Sequence, residues 1–454
     1  MQEDAKANSL VSDPIPKLIR MIAVPASVGF FFNTMYNVTD TYFAGYLSTE
    51  ALAALSLSFP VFFIIIALSS GISTGTSAIL ANALGSGNVE MARHRAKQAL
   101  SFGMFLAVAL TLIGLASAPA LFRTLGAEGA YLETALRYIN PIFMGAVFFI
   151  FSFLFNAMLS ARGDTKTFRN VLIAGFFLNI LLDPMFMFGW GPLPAFGIAG
   201  IAWATVIIEC LGTLYMAHKV RATGLLAGTT FASLRPEKEA FNDISAQGFP
   251  AGLSMMTVAI GVFVITYFLA AFGQEAVAAY GIATRIEQIA LLPMIGLNIA
   301  ALTLVGQNNG ARRFDRIRET ISKVFTYAFW ISVTGTVILL LLAPLLMRIF
   351  TDDAAVISIG VPYLRIAAFL FFSYGTLFLS DAILRGFKKP LFPLIMGLAR
   401  QIVVPLILFS SMVFVFETGI FGIWWSIFCM VAAASLISYG YMRHAIRRIT
   451  AAPA

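Results

Sequence analysis

Charge is the scarcest class of residue in this chain. Of 454 residues only 11% are Asp, Glu, Lys or Arg, whereas a soluble domain carries about 25%. So little charge cannot cover a water-facing surface of this size, which excludes a soluble globular enzyme. A hydrophobic content of 59% excludes a disordered chain. Cysteine is nearly absent: Cys210 and Cys429 sit inside apolar runs and describe no disulfide framework. Histidine is limited to His94, His218 and His444, near the ends of apolar runs, and no HExxH, CxxC or other metal-ligand spacing occurs. A membrane enzyme would need a nucleophile, metal or cofactor motif, and none is present; no organic cofactor is expected. The N-terminal arm is polar and acidic, without a cleavable signal pattern.

Apolar runs are what the chain has in abundance. They cover about 17–46, 51–83, 96–121, 132–161, 167–190, 196–218, 244–272, 276–308, 320–347, 358–384, 391–416 and 419–442, and a membrane-spanning helix needs ~20 such residues. Several exceed that minimum, which implies tilt or extension beyond the bilayer. The breaks carry turn chemistry, as in Gly85-Ser86-Gly87-Asn88 and Trp190-Gly191-Pro192. The net charge of +8 is distributed by side. Of the 30 Lys and Arg, Arg123, Arg137, Arg348 and Arg365 flank odd-numbered loops, and Arg285 and Arg400 lie inside spans. All the others, from Lys6, Lys17 and Arg20 to Arg443, Arg447 and Arg448, fall on the arm, the even-numbered loops and the tail. By the positive-inside rule both termini are expected in the cytoplasm, with the chain in the cytoplasmic (inner) membrane. The basic balance is topology, and no nucleic-acid partner is expected.

The chain also repeats itself. At an offset of 225, Pro25-Ala26 meets Pro250-Ala251, and Thr41-Tyr42-Phe43 meets Thr266-Tyr267-Phe268. Gly71 meets Gly296, Gly85 meets Gly310, and Phe196-Gly197-Ile198 meets Phe421-Gly422-Ile423. Arg162-Gly163 meets Arg385-Gly386 at an offset of 223. The expected fold is therefore an all-α membrane protein: twelve transmembrane helices in two parallel six-helix repeats around a central cleft. The first lobe is placed at 1–228, with the arm and the start of a polar linker, and the second at 229–454. Such tandem bundles suit alternating access, and no repeated filter sequence points to a channel. The pair is expected to work as a monomer.

Ionisable residues inside a membrane are costly and are candidate functional groups. Those here are Asp40, Asp183, Glu209, Glu287 and Asp381. With 1.5 Å per residue, Asp40 lies ~9 Å, Asp183 ~10 Å and Thr205 ~13 Å from the outer ends of their helices, so the three can share one layer. Asn179 and Asp183 are i, i+4 and face the same way. Asn33, Tyr36, Asn37 and Asp40 make a polar stripe, which is expected to face protein or water; Asn33, Tyr36 and Asn37, with Glu287 and Arg400, are expected to line the substrate cavity. Pro184 frees the carbonyl of Ile180, and Pro25 is expected to act as a hinge in the first helix. Two shielded carboxylates cannot both stay ionised cheaply and titrate as a unit. A proton or a monovalent cation relieves them, and Asp40, Asn179, Asp183 and Thr205 offer hard oxygen donors that suit sodium. The acid pair occurs in one half only: Asp40 aligns with Ile265, and at a slightly shorter offset Asn179 and Asp183 align with Gln401 and Pro405. Asp381 and Arg385, at i, i+4, read as a local ion pair; Glu287 and Arg400 read as a buried pair, either structural or lining the cleft; Glu209 reads first as a solvated or helix-pairing residue and second as an extension of the polar path from Thr205.

These residues resemble the multidrug and toxic compound extrusion (MATE) family over the whole chain. The carrying features are Pro25, Asp40, the Asn179–Asp183-Pro184 stretch, Thr205 in Gly200-Ile201-Ala202-Trp203-Ala204-Thr205, and the loop Arg162-Gly163-Asp164-Thr165-Lys166. The acid pair is similar to that of the DinF-type and archaeal branch. In that branch the matching aspartates, asparagine and threonine are implicated in proton or sodium coupling. The resemblance implies export of amphipathic, mainly cationic organic compounds in exchange for H+ or Na+. The alternative is a lipid-linked precursor flippase of the wider superfamily. A flippase should present several basic residues to its cleft, and only Arg285 and Arg400 lie within spans.

Overall fold

The computed structural model describes residues 9–451; Lys6, counted above among the Lys and Arg of the arm, lies outside the described residues. The described residues form helices throughout, with one isolated bridge, Trp190–Leu193. The first half contains α1 (Ile15–Leu47), α2 (Thr49–Gly85), α3 (Val89–Thr124), α4 (Gly129–Met144 and Ala146–Ala161), α5 (Lys166–Phe188) and α6 (Ile198–Ala222). The second contains α7 (Lys238–Leu269), α8 (Gln274–Gly310), α9 (Phe314–Arg348), α10 (Ala354–Gly386), α11 (Leu391–Val415) and α12 (Gly419–Ala451). Eleven of them are each long and apolar enough to cross a membrane, and α4 brings the number to twelve.

Several helices depart from the run boundaries read in the sequence. α3 and α9 begin well before their apolar stretches, because the charged segments that precede them continue the helix into water. α4 is not one straight span: it bends by 47° at Gly145. A Cβ at Gly145 would stand 2.6 Å from Val206 Cγ2, so the glycine lets the corner press against α6. α11 is interrupted by two π-helical turns, Ala399–Val403 and Ser411–Val415. Pro405 donates no backbone hydrogen bond, and the first π turn lies immediately before it.

The chain divides into two compact units, and the change-over does not fall in the linker. It falls inside helices: Val28–Gly252 belong to one unit, and Leu10–Ser27 with the chain from Leu253 onward belong to the other. The start of α1 therefore packs in the second unit, where Leu10, Ile15, Leu18, Ile19 and Ile22 join buried residues of α8, α9 and α10. The start of α7 packs in the first, where Ile244 joins α2, α3 and α6.

In hydrocarbon, apolar side chains gain little by leaving lipid, so helices associate by close packing of small residues. α2 carries Gly71 and Gly75, and α7 carries Gly248 and Gly252. A Cβ at Gly71 would collide with the backbone of Gly252, and one at Gly75 would stand 2.6 Å from the backbone nitrogen of Gly248. In the second unit, Gly296, the repeat mate of Gly71, meets Ala23 O and Ser27 Oγ of α1. The same crossing is thus built twice. Gly71→Val should lower the thermal stability of the purified protein by more than the ~1–3 kcal/mol typical of overpacking, since backbone cannot yield as a side chain does. Gly440→Ala, where an added Cβ meets nothing within 4 Å, should melt with the wild type. Equal melting of Gly71→Val and wild type would refute the tight crossing.

Candidate functional site

The residues singled out on α1, α5 and α6 come together inside the first unit. Asp40 is 7% exposed, Thr205 5%, and Asn179 and Asp183 are fully buried. Asn179 Nδ2 donates to Asp40 Oδ1 at 2.7 Å, which ties α5 to α1. The carboxylates of Asp40 and Asp183 lie close enough to act on each other directly. Yet both oxygens of Asp183, Oδ1 of Asn179 and the hydroxyl of Tyr36 are buried with no hydrogen-bond partner among the described residues. Thr205 Oγ1 donates to Ile201 O at 3.0 Å, so its hydroxyl hydrogen is used within α6 while its lone pairs stay available. Tyr36 stands beside Thr205 and within reach of Asp40, Asp183 and Glu209.

Oxygens buried without a donor are costly, about 1–3 kcal/mol each and more when charged. The cluster is therefore rich in acceptors and short of positive charge. One proton, shared between the carboxylates or given to Asn179 Oδ1, would supply a donor. A monovalent cation would find two carboxylates, an amide oxygen and two hydroxyl oxygens around it, a hard-donor set of suitable charge. Glu209, one turn beyond Thr205, is partly buried and lies beside Ser152, so polar groups continue along α6.

The polar stripe on α1 divides. Tyr36 and Asp40 turn into the cluster, whereas Asn33 and Asn37 are exposed, and Asn37 Nδ2 donates to its own helix at Asn33 O, 2.9 Å. Pro25 is buried and Pro184 half-buried, and both lie inside unbroken helices. Tyr138 of α4 was not marked by the sequence pattern. It is 5% exposed and near enough to Asp40 and Asp183 to feel both charges. No spacing rule links residue 138 to residues 40 and 183; only the packing of α4 does.

The second unit lacks the pair for a visible reason. Ile265, the mate of Asp40, is 7% exposed in an apolar core with Phe268, Leu269 and Phe409. Gly261 is the mate of Tyr36, and Gln401, the mate of Asn179, packs against it: a Cβ at Gly261 would stand 2.6 Å from Gln401 Oε1. The glutamine occupies the space into which a side chain at position 261 would project. The other polar residues form a separate group. Glu287 is 7% exposed, with Oε1 unpartnered, beside Tyr280, Tyr363 and Tyr374. Arg400 is close to Tyr280, Tyr374 and Asp381, and no ion pair joins it to Glu287 among the described residues. The expected pair is replaced by a tyrosine-centred cluster that both charges border. Asp381 and Arg385 likewise interact through space without a direct ion pair; Arg385 Nη2 reaches Ser254 Oγ at 3.4 Å instead.

Comparison with known proteins gives one pattern. The family model MatE matches twice, at residues 25–185 and 250–410, which restates the 225-residue repeat. The chain is 29% identical over 426 residues to a probable multidrug resistance protein NorM of Thermotoga maritima, covering 92% of this chain and 90% of that one. It is 25% identical over 399 residues to an FAD transporter of Shewanella oneidensis, covering 88% of each. Among solved structures, an outward-facing multidrug resistance MATE family transporter of the MOP superfamily superposes with a TM-score of 0.91, at 27% identity and 98% coverage of each chain.

The unpartnered oxygens generate a stability test. Asp183→Asn keeps the shape, removes a charge and adds an NH2 that can donate to Asp40 or to Asn179 Oδ1. It should raise the melting temperature in sodium-free buffer at neutral pH, by an amount corresponding to ~1–3 kcal/mol. A melting temperature below that of the wild type would mean that Asp183 already has a partner.

Proposed function

Because the chain belongs to the MatE (multidrug and toxic compound extrusion) family of integral-membrane multidrug efflux transporters, we propose that it exports amphipathic, mainly cationic organic compounds in exchange for H+ or Na+. Coupling occurs at Asp40 and Asp183. The observation that carries this is the set of buried, donor-less oxygens on Asp183 and Asn179 beside Asp40. A site of this composition binds a proton or a small cation more readily than anything larger.

The coupling ion acts as a co-substrate. Without it, the two carboxylates repel. With a proton on one of them, a hydrogen bond across α1 and α5 replaces the repulsion, and Na+ would be held by the same oxygens and offset their charge. Either change alters the hold of α5 on α1 through Asn179. α1 can answer by bending near Pro25, where the missing N–H weakens the helix ladder. Bending deforms the cavity and releases the substrate outward. The Phe and Met excess, 43 and 18 residues, supports loose recognition of bulky apolar cations. The Lys and Arg of the arm, even loops and tail support a cytoplasmic-membrane location with both termini inside, and one chain carries both halves, which supports a working monomer.

The test is efflux from proteoliposomes under separately imposed proton and sodium gradients. Asp40→Asn, which mimics the protonated state, should abolish gradient-driven efflux of an organic cation while the protein stays folded. Ile265→Val, at the repeat-equivalent apolar position, should transport normally. Wild-type rates in Asp40→Asn, with unchanged pH and sodium dependence, would refute the coupling site. Transport of FAD with organic cations ignored would refute the substrate class alone.

A further inference from the structure

The polar linker between the halves is not a loose tether. Leu225 is 1% exposed in the core of the first unit, and Arg93 Nε of α3 donates to Gly224 O at 3.2 Å. Lys97 Nζ donates to Gly228 O at 3.1 Å. The buried side chain of Gln98 donates to Ser233 O at 3.3 Å and Arg235 O at 2.9 Å, and accepts from Glu237 N at 3.1 Å. His94 meets Glu237 at 2.6 Å, and Arg95 meets Glu239 at 2.9 Å. Between these ties the chain closes on itself: Thr230 N donates to Ser233 Oγ at 2.9 Å, and Ser233 Oγ donates to Thr230 O at 2.8 Å. At the tip of this braced turn stands Phe231, 96% exposed.

The level of the turn is set by α3. Its first residues, 89–97, hold Glu90, Arg93, His94, Arg95 and Lys97, and no charge follows until Arg123. The uncharged stretch from Gln98 measures ~37 Å at 1.5 Å per residue, enough for a hydrocarbon core of ~30 Å and little more. Lys97 and Gln98, which hold the turn, therefore mark the membrane–water boundary. The charge nearby is one-sided. The acids Glu237 and Glu239 are engaged by His94 and Arg95, whereas Arg221, Arg235 and Lys238 make no ion pair among the described residues. Lys219 sits over the ring of Tyr215 at 5.4 Å, another basic and aromatic combination at the end of α6.

We propose that the Thr230–Ser233 turn is a membrane-surface anchor: Phe231 inserts into the interfacial layer of the leaflet on the basic side, and Arg221, Arg235 and Lys238 draw anionic headgroups to it. An apolar ring held rigidly at this level, with uncompensated positive charge around it, fits an anionic lipid surface. The anchor rests on the membrane topology proposed above and is independent of which ion or substrate is transported.

The probe is Phe231→Trp in proteoliposomes containing phosphatidylglycerol, with the emission of the wild-type protein subtracted. The added emission should be quenched by lipids brominated near the acyl carbonyl more than by lipids brominated at the chain end, and should be shielded from aqueous iodide. Emission quenched by iodide and indifferent to both brominated lipids would overturn the anchor and leave the turn facing water. Changing Arg221, Arg235 and Lys238 together to Gln should increase iodide access; unchanged access would overturn the headgroup part. Efflux measured on the same vesicles separates this from the transport proposal, since an active protein with a water-exposed Trp refutes only the anchor.

Discussion

Inside a bilayer there is no water to complete a hydrogen bond, and the whole molecule is organised by that shortage. Helices satisfy their own backbone, so helices are what the described residues form. Prolines inside α1, α2, α3, α4, α5, α7, α8, α9 and α10 leave carbonyls without their usual donors, and α11 meets Pro405 with a π turn. Serine and threonine hydroxyls mostly return to their own helix, as Ser27 does to Ala23 O and Thr34 to Phe30 O. Against that economy, the bare oxygens of Asp183 stand out. Asp183 is the one described side chain with two buried oxygens unpartnered, which is where an added positive charge would gain most.

The same shortage shapes how helices meet. With apolar contacts worth little beyond what lipid offers, close approach falls to small residues, and the four glycines shared by α2 and α7 bring backbone against backbone. This crossing, and its counterpart of Gly296 with Ala23 and Ser27, secures the two helix starts that pack outside their own repeat. The arm and the linker are fastened in parallel ways. Arg316 donates to Ser12 O and Asp13 O in the second unit, as α3 side chains do to the linker in the first. Flexibility is thereby withdrawn from the connecting segments and left to the helices, where Pro25 and Pro250 sit close to the change-over points.

Duplication supplied two equal halves, and chemistry separated them. Where the first half has Tyr36, Asp40, Asn179 and Asp183, the second has Gly261, Ile265, Gln401 and Pro405. The second set closes an apolar core, and its polar residues are gathered elsewhere, around Glu287 and three tyrosines. Two carboxylates facing each other are a liability to stability, tolerable once in a chain if that one instance couples ion movement to the fold.

How much of this was legible beforehand depends on the range of the interaction. Twelve spans and the 225-residue repeat follow from hydropathy and residue identity read along the chain, because span length is a local property and a repeat needs only the sequence laid beside itself. The grouping of Asp40, Asn179, Asp183 and Thr205 was also within reach: depth along a helix is arithmetic, and polar side chains in hydrocarbon must seek one another. The division of the α1 stripe, with Asn33 and Asn37 exposed, was not, since it depends on how far α5 and α6 reach around α1. Tyr138 and the tyrosines around Glu287 were hidden for a similar reason, their neighbours being chosen by helix packing. The exchange of helix starts at Val28 and Gly252 lay furthest from view. Gly71, Gly75, Gly248 and Gly252 are plain in the sequence, but a glycine records only that something comes close, and what comes close is decided by the tertiary structure.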